Sequence, residues 1–257
     1  MSSPESIRLL SVPWSAEELL HDLNQEDLTI KESVRESIHD EMWRNLTAEF
    51  DANHLWKHII RKRLALTEDF LSFGSIWLRE ENNHYVGLRH IYAAIYGGEH
   101  AEIDRKVQLR VPDFSEIDHF LEDELTICAC LAYDELASLR GYGDAKPLYR
   151  SFGSPAAMTW LKRAARDELY HSLNARSILR KHHGHDLLAV TAVLREVVNS
   201  EHADPNAYKA TFLFDHGEAP GDNPFSKDFL VQCANDICIS LGITPAFEGQ
   251  SDEHTTQ

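Results

Sequence analysis

Two Glu-x-x-His sequences, on two segments with helical periodicity, constrain this chain more than any other feature. The first contains Glu81 and His84, and the second contains Glu168 and His171. Residues three apart on a helix project from one face, so each sequence presents a carboxylate and an imidazole side by side. Two such sequences that face each other supply most of a six-ligand site for two metal ions inside a helical bundle. We therefore predict an all-α protein with charged groups in its interior.

Glycine and proline are scarce and clustered, which separates the helical segments clearly. The chain has 12 Gly and 9 Pro, and they are not spaced at the short intervals that hairpins require. Thr67 and Ser154 are placed as N-caps, while Gly97 and Gly141 are placed as stops. The predicted long helices cover about residues 30–55, 67–97, 115–140 and 154–183, with shorter helices over about 186–200 and 226–241.

The third carboxylate is predicted from the position of a turn. Residues at equal height on neighbouring antiparallel helices lie symmetrically about the turn that joins the helices. Glu135 and Glu168 have their midpoint near residues 151 and 152, within a Ser-Phe-Gly-Ser-Pro sequence that interrupts the helical pattern. Glu135 is therefore expected to lie opposite Glu168.

The same reasoning predicts the fourth carboxylate on the first helix. Glu49 and Glu81 have their midpoint at residue 65, between the first two predicted helices. Glu49 is therefore the predicted ligand. Glu41 and Glu36 are the alternatives if the turn lies elsewhere.

An acidic residue precedes each glutamate of the two Glu-x-x-His sequences. Glu80 stands before Glu81, and Asp167 stands before Glu168. Such groups can accept the free N–H of a ligating imidazole on the partner helix, which fixes the tautomer of the imidazole. We predict this supporting role for Glu80 and Asp167.

The long interval between the second and third helices indicates the bundle topology. Glu81 and Glu135 are 54 positions apart, which is too far for a tight turn and is typical of the long crossover in ferritin-like bundles. We predict a ferritin-like four-helix bundle with a long crossover between helices 2 and 3 and extra C-terminal helices. The predicted parts are an N-terminal extension (1–29), the di-iron bundle (30–183), C-terminal helices that pack on the bundle (184–247) and a disordered tail (248–257).

Four carboxylates and two imidazoles predict two iron ions that cycle between Fe2+ and Fe3+. Iron binds both oxygen donors and imidazoles, and four carboxylates neutralise two ferrous ions in a buried cluster. Whether manganese replaces one iron is left open by the residue types.

Charge and composition exclude several other classes of protein. The formal net charge of −17 argues against nucleic acid as a partner, because phosphates are bound chiefly by Lys and Arg. No segment has the roughly 20 apolar residues of a membrane span, and the first residues do not form a secretory signal. We therefore expect a cytoplasmic protein. Its cysteines are expected to be buried free thiols, namely Cys128, Cys130, Cys233 and Cys238.

Three short sequences resemble those of the soluble acyl-carrier-protein desaturases. Residues 77–84, W-L-R-E-E-N-N-H, resemble the W-x-x-E-E-N-x-H signature of that family, and residues 167–171, D-E-L-Y-H, resemble its D-E-x-x-H. Residues 134–138 are similar to its E-x-A-T segment, with Ser138 where the family has Thr near the dioxygen pocket. The resemblance extends over about residues 30–180.

The resemblance implies a di-iron oxidase, often dimeric, that receives electrons from ferredoxin and removes two hydrogens from an acyl chain on a carrier protein. Ser138, Asp167 and Glu80 are then the residues expected to support catalysis. The acidity of the chain is unfavourable for docking an acidic carrier, so we predict the broader class: O2-dependent two-electron oxidation of an acyl or carrier-bound substrate.

Two alternatives keep the same metal site. One is a hydroxylase or N-oxygenase of secondary metabolism, although Ala164 stands where the arylamine N-oxygenases are expected to have a further His. The other is a non-catalytic iron-binding protein related to bacterioferritin, against which stand the roughly 75 residues beyond the fourth helix. Leu88, where the radical Tyr of ribonucleotide reductase would lie, argues against that enzyme.

Overall fold

The computed structural model describes residues 7–203 and 225–247, and every regular element in these two ranges is helical. The prediction of an all-α protein is confirmed for these residues. Among the described helices, none combines the length and apolar character that a membrane span requires. The helices are α1 (Ala16–Leu20), α2 (Glu32–Ser37), α3 (His39–Arg61), α4 (Glu68–Tyr96), α5 (His100–Gln108), α6 (Glu124–Asp144), α7 (Lys146–Ser151), α8 (Pro155–His182), α9 (Leu187–Ala203) and α10 (Lys227–Leu241), with short 3-10 helices at Gln25–Asp27 and Ser115–Leu121. The predicted disordered tail, residues 248–257, lies outside the described residues.

The caps predicted for α4 and α8 are confirmed. Thr67 precedes α4, and its side chain accepts the N–H of Phe70, while Gly97 ends the helix at a φ of 77°. Ser154 precedes α8 in the same way, with Pro155 at the first helical position. These local signals fix the beginnings of the two helices that carry the Glu-x-x-His sequences.

The bounds predicted for the third helix are wrong at both ends. Residues 115–121 form a 3-10 helix, and α6 begins only after Asp123, whose side chain accepts the N–H of Thr126. The helix then continues through Gly141, the predicted stop. A Cβ at Gly141 would lie 2.6 Å from the ring of Phe225, so this glycine allows close packing inside the helix and does not end it.

The first predicted helix is divided, and the predicted loop before α8 contains another helix. The backbone at Ile38 leaves the helical region, with φ −102° and ψ 2°, which separates α2 from α3. The helix α3 then extends six residues beyond the predicted end at residue 55. The short helix α7 occupies residues 146–151, because Pro147 in its first turn is compatible with helix initiation.

The helices α3 and α4 pack against each other in antiparallel orientation. The hydroxyl of Tyr92 lies 3.0 Å from Nε2 of His39, and the Asn53 amide donates to the Asn82 side chain at 2.8 Å. As the residue number on α3 rises from 39 to 53, the number of the contacting residue on α4 falls from 92 to 82. This direction is the one from which Glu49 was predicted to face Glu81.

The helices α6 and α8 form the most extensive helix pair in the described residues. Ser172 donates to the carbonyl of Ala132 at 2.7 Å, and the rings of Tyr142 and Trp160 lie 5.9 Å apart. These contacts also show an antiparallel pair. The helix α4 packs on α8, α1 packs on both, and α9 and α10 pack on α6.

Two glycines let α4 approach its neighbours closely. A Cβ at Gly74 would lie 2.0 Å from the indole of Trp56 on α3, and a Cβ at Gly87 would lie 1.8 Å from the indole of Trp160 on α8. Glycine inside a helix costs stability relative to alanine, roughly 0.5–1 kcal/mol. Here the absence of a side chain at each glycine leaves space for a tryptophan ring, and the packing of that ring offsets the loss.

The hydrophobic core consists of two clusters separated along the helices by a polar layer. On α3, one cluster ends at Leu46 and the other begins at Ala52; on α4 the corresponding residues are Tyr85 and Trp77. The predicted ligands of these two helices, Glu49 on α3 and Glu81 and His84 on α4, occupy the intervals between these residues. The four cysteines are buried and free, as predicted: Cys128, Cys130, Cys233 and Cys238.

Candidate metal centre

The six predicted ligands converge in the polar layer, and each of the helices α3, α4, α6 and α8 contributes. They form two groups, and within a group one ligand atom of each residue lies within 4.8 Å of the others. These buried Glu and His residues can hold a metal ion. The first group, called the His84 group, contains Glu49, Glu81, His84 and Glu168; the second, called the His171 group, contains Glu81, Glu135, Glu168 and His171.

In the His84 group, Nδ1 of the imidazole faces three carboxylates. Its nearest carboxylate oxygen is Oε1 of Glu168 at 3.3 Å, followed by Oε2 of Glu49 at 3.5 Å. The Oε2 atom of Glu81 lies at 3.7 Å. The imidazole is fully buried, so its polar atoms depend on these neighbours.

The His171 group repeats this arrangement with the other oxygens of the shared carboxylates. The Nδ1 atom of His171 lies 3.0 Å from Oε2 of Glu135. It lies 3.2 Å from Oε2 of Glu168 and 3.2 Å from Oε1 of Glu81. Glu81 and Glu168 therefore each direct one oxygen to His84 and the other to His171.

The outer nitrogen of each imidazole faces the acidic residue predicted to support it. The Nε2 atom of His84 lies 3.4 Å from Oδ2 of Asp167, and Nε2 of His171 lies 2.9 Å from Oε2 of Glu80. The two contacts cross between α4 and α8 in opposite directions. An imidazole that donates from Nε2 presents the lone pair of Nδ1 to the cluster, as a metal ligand must.

The chain from Ser11 to Trp14 contacts both of these supporting carboxylates. The Ser11 hydroxyl donates to Oε1 of Glu80 at 2.5 Å, and the Trp14 indole N–H donates to Oδ2 of Asp167 at 2.5 Å. Asp167 is fully buried, and Glu80 is nearly so. At Glu80 the Ser11 contact and the histidine contact use different oxygens, whereas at Asp167 the Trp14 N–H and Nε2 of His84 share Oδ2.

Two further aromatic side chains donate to the ligands that the groups do not share. The Trp77 indole N–H donates to Oε1 of Glu135 at 2.6 Å. The hydroxyl of Tyr142 donates to Oε1 of Glu49. Each unshared carboxylate therefore keeps one oxygen for a hydrogen bond from the protein and directs the other towards its histidine.

The concentration of carboxylates raises the pKa of both histidines. Burial alone lowers the pKa of His84, but the carboxylate of Glu168 and the hydrogen bond to Asp167 outweigh burial, and the pKa lies well above its ordinary value. Burial is likewise outweighed at His171, chiefly by Glu135. The layer therefore favours positive charge at its centre, whether as protons or as metal ions.

The carboxylates themselves are not equivalent. Burial and the charge of Glu81 raise the pKa of Glu49 to about 7. Burial, Glu81 and Glu135 raise the pKa of Glu168 well above its ordinary value. At Glu135 burial again acts to raise the pKa, but the adjacent His171 outweighs it and holds the pKa below its ordinary value.

Two atoms in the cluster are buried without a hydrogen-bond partner, namely Oε1 of Glu81 and Nδ1 of His84. An unsatisfied buried polar atom costs about 1–3 kcal/mol, so such atoms need an explanation. Both are ligand atoms of a mixed oxygen and nitrogen donor set. Nδ1 of His84 faces the His84 group and Oε1 of Glu81 faces the His171 group, so an ion in each group would satisfy one of them, and the residues fit such ions.

Other predicted site residues lie outside the two groups. Ser138 is half-buried on α6, about one turn after Glu135. Glu41 and Glu36, the alternatives for the first-helix ligand, are exposed. Among the candidates on the first predicted helix, the structure therefore brings Glu49 to the cluster.

Several residues around the site were missed by the sequence analysis. Arg79 and Arg166 contact the supporting carboxylates at 3.2 and 2.9 Å. They occupy the same place in a repeated Arg-acid-Glu-x-x-His pattern, which would have identified them. Tyr142 lies about two helical turns after a predicted ligand, so periodicity would have found it. Ser11 and Trp14 have no such signal.

Comparisons of the chain with models of known families, with curated proteins and with solved structures found no match. The function of the chain has to be inferred from the geometry of the cluster.

Proposed function

We propose that this chain is a di-iron, O2-dependent oxidoreductase with a ferritin-like bundle. The helices α3, α4, α6 and α8 would form the bundle, and the segment that contains α5 would be its long crossover. Two of these helices carry a Glu-x-x-His sequence and the other two each carry one Glu, which is the ligand distribution of bundles that bind two ions.

One observation supports the proposal more than any other, and it concerns the two shared carboxylates. Glu81 and Glu168 each direct one oxygen to His84 and the other to His171. A single ion does not require two histidines at opposite ends of two carboxylates. Two ions, one in each group, would each have an imidazole and three carboxylates to hold them.

The two bound irons would supply two of the four electrons that reduce dioxygen, the organic substrate would supply the other two as it is oxidised, and an external donor would then reduce the irons again. Four carboxylates would neutralise two ferrous ions, which lowers the free-energy cost of burying the charged pair. Asp167 and Glu80 would hold the two imidazoles in the tautomer that presents Nδ1. Ser138, one turn from Glu135, is the proposed residue nearest to the reacting substrate.

The proposed substrate is an acyl group, free or bound to a carrier protein, and the proposed reaction is desaturation. The support is the resemblance of residues 77–84 and 167–171 to the soluble desaturases. An external electron donor such as ferredoxin and a homodimeric state belong to the same proposal. The product distinguishes desaturation from hydroxylation or N-oxygenation: the first removes two hydrogens, and the others add one oxygen atom.

The proposal is tested by titrating the purified, metal-free chain with Fe2+ under anaerobic conditions. We expect two irons per chain. Glu168→Ala should lose both, because Glu168 belongs to both groups, whereas Glu102→Ala, a change at an exposed position on α5, should retain both. One iron per wild-type chain, or full iron content in Glu168→Ala, would refute the proposal. A shell-like assembly that accumulates much more iron would indicate storage.

A further inference from the structure

The extended segment that precedes α1 lies across α4 and α8, directly outside the metal centre. We call residues 7–16, which end at the first residue of α1, the N-terminal strap. Both backbone groups of Leu10 bond the side chain of Asn174, at 2.8 and 2.9 Å. The N–H of Ala16 donates to Asn83 at 2.8 Å, and that of Ile7 donates to Asp69 at 3.1 Å. The strap is therefore attached at both ends and in between.

Between these attachments, the strap directs one side chain to each half of the metal centre. The Ser11 hydroxyl donates to Glu80, which faces Nε2 of His171. The Trp14 indole N–H donates to Asp167, which faces Nε2 of His84. The strap is therefore connected to each histidine through one intervening carboxylate.

The arginines that precede the supporting carboxylates join this arrangement. Arg79 contacts both Glu80 and the Ser11 hydroxyl, and Arg166 contacts both Asp167 and the carbonyl of Val12. The side chain of Arg79 is 58% exposed, so its ion pair is weakened by solvent.

We propose that the N-terminal strap is a working part of the metal centre, in which Ser11 and Trp14 are positioning residues that hold the two histidines through Glu80 and Asp167. The proposal rests on the proposed function. Its consequence is coupling: a docked strap fixes the imidazoles and strengthens metal binding, and bound metal fixes the imidazoles and strengthens docking. The two effects must be equal in size, because coupling between two equilibria is reciprocal.

The coupling should also be specific to each half of the centre. Trp14→Phe keeps an aromatic ring but removes the N–H that Asp167 accepts, so it should weaken the ion in the His84 group. Ser11→Ala should weaken the ion in the His171 group. Losing a group that supports a metal ligand costs 10–100-fold in affinity, and these residues lie one contact further out, so we expect about tenfold.

The variants are tested by anaerobic Fe2+ titration against a chelator and by Mössbauer spectra of the loaded protein. Each variant should change the spectrum of one iron and leave the other unchanged, which a general loss of stability would not do. Ser11→Thr keeps a hydroxyl at this position, so it should bind iron with wild-type affinity where Ser11→Ala does not. Trp43→Phe, a change at a tryptophan that packs against Tyr92, is the matched control and should bind like wild type.

The reciprocal effect is measured by hydrogen exchange of the backbone amides of Leu10 and Ala16, with and without Fe2+. These amides report docking because each donates to a side chain of the bundle. Iron should slow their exchange by about tenfold in wild type and by much less in Trp14→Phe. Unchanged exchange, together with wild-type affinity in both variants, would overturn the strap proposal. Failure of the wild-type chain to bind two irons would instead overturn the proposed function.

Discussion

The two halves of the metal centre share Glu81 and Glu168, but each half also has one unshared carboxylate, and these two carboxylates differ. In the His171 group, the side chain of Glu135 is 5% exposed, and its pKa is lowered because the adjacent His171 outweighs burial. In the His84 group, the side chain of Glu49 is 12% exposed, and burial together with Glu81 raises its pKa to about 7. One half has an ionised third carboxylate, and the other has a carboxylate that holds a proton near neutrality.

The difference follows from where each carboxylate lies. Glu135 is on α6, which packs extensively on α8 and places the carboxylate 3.0 Å from His171. Glu49 is on α3, which packs mainly on α4, and its nearest oxygen is 3.5 Å from His84. We therefore expect the His84 group to bind its ion more weakly and to be the half that adapts when ligands move.

The largest expected effect comes from removing each unshared carboxylate. Glu135→Ala should abolish the ion of the His171 group, and Glu49→Ala should abolish that of the His84 group, each with a loss of at least about 100-fold in affinity, because a direct ligand matters more than a supporting group. Anaerobic Fe2+ titration should find one iron left in each variant. If both variants lose both irons, the halves do not bind independently and the comparison fails.

A smaller effect is expected from pH. Below about pH 7 a proton occupies Glu49, and the metal ion has to displace it, so affinity for the ion in the His84 group falls as pH falls. No such proton is held on Glu135, whose pKa is lowered. Between pH 7 and pH 5 the affinity of the His84 group should therefore fall about tenfold per pH unit more steeply than that of the His171 group.

The pH prediction is checked by chelator competition on Glu49→Ala and Glu135→Ala, each of which retains one half. Both retained halves contain Glu168, whose pKa is raised partly by Glu135. Glu135→Ala removes that contribution, so the proton on Glu168 does not account for a steeper slope in the variant that retains Glu49. Equal slopes would show that Glu49 holds no displaceable proton.

The parts of this molecule that sequence could predict are those governed by helix geometry. Thr67 and Ser154 cap the first turns of α4 and α8 through local hydrogen bonds, so the starts of these helices are predictable. The symmetry of antiparallel helices about their connecting turn likewise predicted Glu135 opposite Glu168. The strap could not be found in this way. Ser11 and Glu80 are 69 positions apart, and no periodicity relates an extended segment to the helices that it crosses.

The errors in helix bounds have the same origin. Gly141 was read as a stop because glycine commonly ends helices, but the ring of Phe225 approaches it from another part of the chain. The division at Ile38 likewise has no local signal such as Gly or Pro. Contacts between distant parts of the chain determine where these helices begin and end, and local sequence patterns do not predict such contacts.

A third effect concerns the hydrogen bonds that the unshared carboxylates accept, measured on the metal-free protein. At pH 6, Trp77→Phe removes a donor to an ionised Glu135 and should lower the free energy of unfolding by about 2 kcal/mol. Tyr142→Phe removes a donor to a largely protonated Glu49, so the loss should be about 1 kcal/mol. Urea unfolding measures both. A larger loss in Tyr142→Phe would reverse the assignment of charge between the two halves.

The smallest effect is expected at the residue that sequence offered in place of Glu49. Glu41 is exposed on α3, two helical turns before Glu49, and belongs to neither group. Glu41→Ala should therefore keep two irons and change the free energy of unfolding by no more than about 0.5 kcal/mol. If Glu41→Ala loses the ion of the His84 group while Glu49→Ala retains it, α3 presents a different face to α4 when metal is bound. The weaker half of the centre would then be built from another carboxylate.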